Sequence, residues 1–442
     1  MSSPNTTYIS IREYCERTEV SMQGKYLMLI SLDAVDMCDL NVLKSMPNFS
    51  KLMAKGVVIE NVQSIYPTLT YPAHTTIVTG KYPKNHKIIN NTKLDNGDYS
   101  PLWYWYRTDV LGETLYDVAS RANLKTCSLL WPVTGGAKIT YNMPEIFPVK
   151  PYQKQGYMSL EAGSKLYQYD LHKRFGSLRE GKKQPQLDNF LIECATYTLK
   201  KYKPDIMMLH LLDLDTHKHV LGTKHPQLYE VLQRLDDKVG RMVQALDEEG
   251  MLKDTVIALV GDHSQIDTHT MIKLNSKFHE KGWLQINEDG EIVSYDVIAK
   301  SCDGSTYVYV VDQTLKHDVH CYLESLVKEY AECLEHVFTT YEIVALGADS
   351  KADFMVEAVS GYYFIDTVIG EFLEPAVSKG MHGYLPTNED YQTFCLMSGP
   401  NIKQGATFSS GRLIDHGPTL AHALGLVLSH VDGVIRYDVF KS

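Results

Sequence analysis

The chain has 442 residues, of which 44% are hydrophobic and 22% charged, so it holds enough apolar material for a large core and is not intrinsically disordered. Its formal net charge of -11 at pH 7 excludes a broad basic surface for polymeric nucleic acid. A small anionic substrate would therefore need local positive charge, such as metal ions.

Membrane and secretion signals are absent from the sequence pattern. No segment approaches the roughly 18 consecutive apolar residues of a membrane span, so we expect no membrane partner. The eight cysteines are scattered without a Cys-x-x-Cys pair, which is typical of reduced thiols in a cytoplasm. The first residues lack the basic and apolar segments of a secretory signal. We expect a cytoplasmic protein, or a secreted one if a leader was removed; the oligomeric state stays open.

Short apolar runs rich in β-branched residues indicate buried strands that are covered on both faces. In chain order, these runs are Tyr26 to Leu32, Val57 to Ile65, Thr126 to Trp131, Ile206 to Leu212, Val256 to Val260 and Phe394 to Ser398. Helical periodicity fills the intervals, as over 228–246. The alternation predicts an α/β fold with a largely parallel central sheet and helices on both faces.

The stretch over 273–379 has a different pattern, with hairpin-like segments around a predicted helix over 317–338. It predicts a smaller α+β cap domain inserted into the core. We therefore expect an N-terminal extension (1–22), a core built from 23–272 and 380–442, and the cap between them. The basic run KRFGSLREGKK over 173–183 is typical of a solvated loop.

Carboxylates and imidazoles follow several of the strands, at the edge where ligands bind in open α/β sheets. Asp213 and His217 lie among them, together with six further candidates: Asp33, Asp215, His219, Asp262, His263 and His382. Asp215 and His219 are four residues apart, which would place both side chains on one face of a helix. Three Asp and three His can bind two divalent ions, most readily Zn²⁺, with Mn²⁺ or Fe as alternatives. Two such ions about 4 Å apart can clamp an in-line displacement at phosphorus.

The attacking group is sought in the stretch LTYPAH, where Thr70 precedes Pro72 at the predicted start of a helix. Free N–H groups there would hold a phosphoryl group, and the Thr70 hydroxyl would point at it. Taken alone, Thr70 would be interpreted as a helix cap. Together with the six candidate ligands, it is a candidate nucleophile.

The ordered pattern from Asp33 to His382 resembles the nucleotide pyrophosphatase/phosphodiesterase family of the alkaline phosphatase superfamily, in a bacterial-type member. In that family the threonine of this motif is the nucleophile, which implies the role for Thr70. The resemblance implies one ion at Asp33, Asp262 and His263 and another at Asp215, His219 and His382. It also implies that Asn91 helps to hold a phosphoryl oxygen, that Tyr71 stacks on a nucleotide base and that Trp131 is a second pocket element.

The implied function is metal-dependent hydrolysis of a small, nucleotide-like phosphate ester through a phospho-threonine intermediate. Ala34, Ala73 and Ser264 depart from the usual family residues, which leaves the substrate open. A phosphomonoesterase would usually supply an arginine, and the arginine nearest to Thr70 along the chain is Arg107, which favours diesters. Phosphonoacetate hydrolysis and phosphomonoester hydrolysis are the alternatives within the superfamily. A non-catalytic metal-binding scaffold is the alternative from another class.

Overall fold

The computed structural model describes residues 24–94, 101–388 and 391–442, so the expected extension over 1–22 lies outside the described residues. The strands are β1 (Tyr26–Leu32), β2 (Gly56–Gln63), β3 (Thr126–Leu129), β4 (Tyr141–Met143), β5 (Ile206–Leu211), β6 (Thr255–Val260), β7 (Ile266–Asp267), β8 (Thr270–Ile272), β9 (Leu284–Ile286), β10 (Ile292–Tyr295), β11 (Val297–Cys302), β12 (Ser305–Val310), β13 (Leu334–Thr339), β14 (Phe354–Ala358), β15 (Tyr362–Phe364), β16 (Leu373–Pro375), β17 (Gly380–Met381), β18 (Thr393–Ser398), β19 (Ala406–Phe408) and β20 (Gly411–Arg412).

The α-helices are α1 (Met37–Leu43), α2 (Pro47–Ala54), α3 (Thr70–Thr79), α4 (Pro83–His86), α5 (Leu115–Arg121), α6 (Gln155–Ala162), α7 (Lys165–Phe175), α8 (Gln186–Tyr202), α9 (Asp213–Leu221), α10 (Leu228–Glu248), α11 (Leu274–Glu280), α12 (Lys316–Glu329), α13 (Thr340–Ala345) and α14 (His416–Ala423). In the part of the chain described, none of them is long and apolar enough to cross a membrane.

The central sheet has the strand order β19-β2-β18-β6-β1-β5-β3-β4, with β20 beside β2. Only β18 runs antiparallel to its neighbours within the described sheet, so the predicted largely parallel α/β fold is confirmed. The middle strands β1, β5 and β6 are parallel and end at one edge of the sheet. The segments that follow these three strands therefore meet in space.

Both faces of the sheet are covered, which explains why its strands are continuous apolar runs. In β1, Met28 and Ile30 belong to a hydrophobic core cluster shared with α1, α2, α7, α8 and α10. Leu27 and Leu29 point to the opposite face and belong to a second cluster with α3, α5 and α14. This alternation follows from the two-residue period of a strand.

The strands outside the central sheet lie between Ile266 and Met381, a stretch that includes the predicted cap over 273–379. The largest of these sheets has the order β11-β12-β14-β13 and is antiparallel. The predicted helix over 317–338 is wrong in its second half, because α12 ends at Glu329 and the chain then enters β13. Leu334 and Val337 are buried in that strand, so pairing with β14 outweighs the local helical pattern.

Candidate active site

The candidate ligands meet at the shared edge of β1, β5 and β6. Asp33 directly follows β1, and Asp262 and His263 follow β6. Helix α9 begins right after β5 and carries Asp215 and His219 one turn apart, with 3.3 Å between Asp215 Oδ1 and His219 Nε2.

His382 completes this set from the return segment after β17. Its ring centroid lies 4.3 Å from that of His263 and 5.2 Å from that of His219. All six predicted ligands are therefore brought together by the fold. We call them the ligand cluster: Asp33, Asp215, His219, Asp262, His263 and His382.

The ligand cluster contains two groups whose donor atoms all lie within 4.8 Å of one another. One group is Asp215, His219 and His382, as the resemblance implied. The other is Asp33, Asp215 and His263, so Asp215 lies between the two groups. Asp262 was expected in the second group; its Oδ2 atom lies 3.2 Å from His263 Nε2, adjacent to that group.

The ligand cluster concentrates buried carboxylates and imidazoles whose chemistry suits divalent cations. Burial, together with the nearby Asp215 and Asp262, raises the pKa of Asp33 to about 7. Burial likewise raises the pKa of Asp262 to about 7. Asp33 Oδ1 and Asp262 Oδ2 are buried and accept no hydrogen bond. Among the described residues, no lysine or arginine forms an ion pair with the ligand cluster. Buried acids with free oxygens and neighbouring imidazoles fit divalent cations.

Thr70 lies at the first position of α3 and is not its N-cap. The N-cap position is Leu69, and no side chain caps this helix. The Thr70 hydroxyl instead faces the ligand cluster, with 3.0 Å between Oγ1 and His263 Nε2. Thr68 has another role, since its buried hydroxyl donates to the Tyr384 carbonyl oxygen at 2.9 Å. The Thr70 hydroxyl therefore lies at the ligand cluster, whereas the Thr68 hydroxyl binds the backbone of the segment that follows β17.

Asn91 is oriented by the backbone of α3. The Tyr71 N–H donates to Asn91 Oδ1 at 2.9 Å, so the amide nitrogen of Asn91 faces the other way. Asn91 lines the same pocket as Thr70. Within the described residues the Thr70 N–H has no hydrogen-bond acceptor. Two donors are thus available beside the Thr70 hydroxyl.

The pocket above Thr70 has a volume of about 360 Å³ and an aromatic wall. The wall includes Trp103, whose ring centroid lies 5.1 Å from that of Tyr71 in an edge-to-face contact. Tyr71, expected to stack on a base, is fully buried, so its ring has no exposed face for stacking. Phe147 extends the wall, at 4.9 Å from Trp103. Trp131, expected as a pocket element, is fully buried against His74 and does not line this pocket. The expectation that Trp131 is a pocket element is wrong, because its indole packs under α3 in the core.

Two acid–base side chains that the sequence analysis missed support the ligand cluster. His210 lies within β5, with Nε2 at 3.0 Å from Asp33 Oδ2 and Nδ1 at 3.0 Å from Glu145 Oε2. Glu145 also accepts a hydrogen bond of 3.3 Å from the Tyr71 hydroxyl. Burial lowers the pKa of His210, but hydrogen bonds to both carboxylates raise it well above its usual value. A histidine inside the otherwise apolar run IMMLHL was the available signal.

The stretch over 273–379 also reaches the ligand cluster. Asp303, in the turn between β11 and β12, has its Oδ2 atom 3.3 Å from His382 Nδ1. His219 Nδ1 is hydrogen-bonded to the Gly380 carbonyl oxygen at 2.7 Å. Outer contacts of this kind fix the orientation of metal-binding histidines.

A second buried acidic group lies beside the ligand cluster and contains its own cation. Lys218 Nζ donates to Asp36 Oδ2 at 2.9 Å, to Asp39 Oδ2 at 2.6 Å and to the Ala34 carbonyl oxygen at 2.8 Å. Ser264 Oγ donates to Asp36 Oδ2 at 2.9 Å. We call Asp36, Asp39, Lys218 and Ser264 the Lys218 cluster.

The expectation that no arginine lies near Thr70 also needs correction. Arg107 is held away from the pocket by Asp117, with 2.7 Å between Nη2 and Oδ2, and by backbone carbonyls. Two side chains from the run over 173–183, Arg179 and Lys182, line the pocket instead. That run is therefore not simply a solvated loop. The distance of Arg179 from Thr70 along the chain did not indicate that its side chain would line the pocket.

Comparison with known proteins agrees with this geometry. Residues 27–385 match the family model described as type I phosphodiesterase / nucleotide pyrophosphatase. The chain is 28% identical to human ectonucleotide pyrophosphatase/phosphodiesterase family member 1 over 231 residues, which cover 49% of this chain and 21% of that protein. It is 26% identical to venom phosphodiesterase 2 of Crotalus adamanteus over 229 residues, 49% of this chain and 24% of that protein. The match thus spans less than a quarter of either relative.

Solved structures show the same fold. Murine ectonucleotide pyrophosphatase/phosphodiesterase 5, as an inactive threonine-to-alanine variant in complex with AMP, gives a TM-score of 0.66 at 17% identity. The alignment covers 94% of this chain and 100% of that one. The human counterpart also gives 0.66, at 18% identity. Because the family model matches most of its length, this chain belongs to the type I phosphodiesterase / nucleotide pyrophosphatase family.

Proposed function

We propose that this protein hydrolyses nucleotide-type phosphodiester or pyrophosphate bonds, with Thr70 as the nucleophile and two divalent cations as cofactors. One observation carries this assignment: the Thr70 hydroxyl lies 3.0 Å from His263 Nε2, at the start of a helix and beside six clustered metal-ligand side chains. A threonine that served only the helix would cap it, and Thr70 does not.

The ligand cluster would hold the cations. Asp215, His219 and His382 would bind one, and Asp33 and His263, with Asp262 beside them, would bind the other. The mixed nitrogen and oxygen set favours Zn²⁺, with Mn²⁺ or Fe as alternatives. Bound there, two divalent ions would lower the pKa of a hydroxyl and neutralise charge on a leaving oxygen.

The chain's own groups support a two-step reaction. Thr70 Oγ1 attacks phosphorus and forms a phospho-threonine as the bond to the leaving oxygen breaks, and the proton that Oγ1 gives up ends on that leaving oxygen. The Asn91 amide nitrogen and the Thr70 N–H can donate to a nonbridging oxygen as its charge grows. Water then attacks phosphorus, releases the phosphate product and returns the hydroxyl to Thr70.

A nucleotide-like substituent is supported by the aromatic wall and by a relative. Trp103 and Phe147 are half-buried and offer ring surface at the pocket, and aromatic contacts suit planar bases. Murine ectonucleotide pyrophosphatase/phosphodiesterase 5 was solved with AMP. Phosphonoacetate hydrolysis is the alternative that would use the same threonine and cations.

One observation favours phosphomonoesterase activity as a second candidate function. Arg179 lines the pocket and could meet the extra negative charge of a monoester.

Hydrolysis of bis(p-nitrophenyl) phosphate and of p-nitrophenyl phosphate by the zinc-loaded protein decides between these candidates. We expect a higher kcat/KM for the diester. The reverse order would favour the phosphomonoesterase, and full metal loading without turnover of any ester would favour a non-catalytic scaffold. Measuring phosphonoacetate in the same series tests the remaining alternative.

A further inference from the structure

Arg179 and Lys182 are the notable cations of the segment over 176–185, which joins α7 to α8. The Arg179 side chain donates from Nε to the Gly181 carbonyl oxygen at 2.9 Å. Lys182 Nζ lies 4.1 Å from the centre of the Phe147 ring. Neither cation forms an ion pair with a carboxylate in the part of the chain that the structure describes.

Two neighbouring cations, in contrast, are paired with carboxylates. Lys183 forms an ion pair with Glu180 in the same segment, and Arg174 pairs with Asp170 at 2.9 Å on α7. Arg179 is half-buried, and burial lowers the pKa of its guanidinium. In a chain of net charge -11, carboxylate partners are abundant, so two unpaired cations at a pocket indicate an anion from outside the chain.

Arg179 and Lys182 also lie where the pocket meets a second chamber of about 700 Å³. The two cavities share five lining residues: Leu130, Ile146, Phe147, Arg179 and Lys182. Beyond them the second chamber is lined largely by apolar side chains such as Met143, Leu160 and Phe190. At about 360 Å³, the pocket at Thr70 is near the lower limit for a ligand site, so a larger substrate would extend past this junction.

We infer that Arg179 and Lys182 form a subsite for a second anionic group of the substrate, beside the phosphorus that Thr70 attacks. The substrate class is a phosphate ester or anhydride whose far substituent carries its own phosphate, with its organic body in the apolar chamber. The guanidinium suits such a group because its N–H donors match two phosphate oxygens at once. This inference rests on the proposed function and adds a specificity determinant to it.

The same arginine could instead contact the transferred phosphoryl group, as in a monoesterase. The two arrangements differ in which substrate loses most when the charge is removed. A second subsite affects only substrates with a second anionic group, whereas a contact to the transferred group affects the dianionic monoester most strongly.

Three substrates separate these cases in the zinc-loaded protein: a pyrophosphate-linked dinucleotide of two adenosines, the dinucleotide with a single linking phosphate, and p-nitrophenyl phosphate. The variants are Arg179→Gln, Lys182→Gln and the charge-preserving Arg179→Lys. Lys183→Gln is the matched control, because it removes a charge from the same segment but its side chain is exposed and paired with Glu180. Circular dichroism and thermal unfolding confirm that each variant is folded.

We expect Arg179→Gln to lower the ratio of kcat/KM for the pyrophosphate-linked over the single-phosphate dinucleotide by about 10- to 100-fold, mainly through KM. Lys182→Gln should lower the ratio by about 3- to 10-fold, because its ammonium is more exposed. Arg179→Lys should restore part of the loss, and Lys183→Gln should change the ratio less than about twofold.

An unchanged ratio in Arg179→Gln would overturn the inference while the proposed function stands. A loss confined to p-nitrophenyl phosphate would also overturn it and assign Arg179 to the transferred group. Failure of the metal-loaded wild-type protein on all three substrates would instead overturn the proposed function itself.

Discussion

The ligand cluster and the Lys218 cluster lie side by side at one edge of the sheet, and both bury acids. In the Lys218 cluster a lysine on the protein contacts both carboxylates within 2.9 Å. Burial raises the pKa of Asp36, but the charge and hydrogen bond of Lys218 lower it below its usual value, whereas burial keeps the pKa of Asp39 raised, at about 7. The ligand cluster has no such lysine among the described residues: burial raises the pKa of Asp33 and Asp262 to about 7, and the pKa of Asp215, despite its burial, is lowered by the histidines around it. The difference separates a self-neutralised structural cluster from one that depends on cations from outside.

The two clusters are linked through the chain. Asp36 follows Asp33 by three residues, Lys218 directly precedes His219, and Ser264 directly follows His263. Lys218 and Ser264 both contact Asp36, so the Lys218 cluster connects three of the four segments that carry the candidate ligands. Perturbing each cluster in turn tests this division.

The largest effect is expected from Thr70→Ala. Removing the hydroxyl should lower kcat by about 10⁴-fold or more, because no other group replaces the nucleophile. Zinc content should stay at the wild-type level, since the six ligands are intact. Steady-state diester hydrolysis and metal analysis by atomic absorption provide the two measurements.

Thr68→Ala is the matched control for that substitution. It removes a hydroxyl two residues away that donates to the Tyr384 carbonyl oxygen. We expect it to lower the free energy of unfolding by about 1–3 kcal/mol and to leave the chemistry in place. Equal losses of kcat in the two variants would contradict the nucleophile assignment to Thr70.

Lys218→Met should produce the largest change in stability. It leaves Asp36 and Asp39 buried without their cation, and breaking a buried ion pair costs about 3–5 kcal/mol. Zinc affinity should also fall by about 10-fold, because α9 and the segment after β1 lose their connection. Urea unfolding and chelator competition measure the two effects.

Lys224→Met is the control for Lys218, since Lys224 is exposed after the same helix. It should change neither stability nor zinc affinity by a measurable amount. Reduced stability in Lys218→Met with unaltered zinc affinity would show that the Lys218 cluster does not position the ligands.

Sequence patterns predicted which candidate ligands lie close together better than they predicted the residues around them. Asp33, Asp262 and His263 directly follow apolar strands, so the parallel sheet alone gathers them. The position of Arg179 depends on how the segment between α7 and α8 closes over the pocket, which is not a local property. Trp131 follows a predicted strand too, but the direction of its side chain is decided by packing under α3.

A smaller effect is expected from Glu145→Gln. Glu145 orients His210 from the side opposite Asp33, and the amide keeps an oxygen for the Tyr71 hydroxyl but weakens the bond to His210. We expect zinc affinity to fall by about 10-fold at most, with folding retained. Chelator competition gives the affinity. Wild-type zinc affinity in this variant would show that the His210 bridge does not tune the ligand cluster.

A third buried acid extends the comparison, because Glu357 in β14 contacts neither a lysine nor a metal-ligand set among the residues that the structure describes. It accepts hydrogen bonds of 2.6 Å from the Tyr66 hydroxyl and from the Leu385 N–H. Burial raises the pKa of Glu357 from 4.5 to about 8. A bound proton therefore neutralises Glu357. Lys218 has this role for Asp36, and divalent cations would have it in the ligand cluster.

The sign of the resulting pH dependence follows from the raised pKa. Below the unfolded pKa of 4.5, Glu357 is protonated in both states and its full contribution to stability is present. As the pH rises toward about 8, the unfolded chain loses this proton first, so the free energy of unfolding falls by up to about 1.4 kcal/mol per pH unit. Glu357→Gln should flatten this slope in urea unfolding. Glu329→Gln, at an exposed position at the end of α12, is the control and should leave the slope unchanged, because Glu329 is not among the groups that shift the pKa of Glu357. An equal slope in wild type and Glu357→Gln would show that Glu357 is ionised in the folded protein.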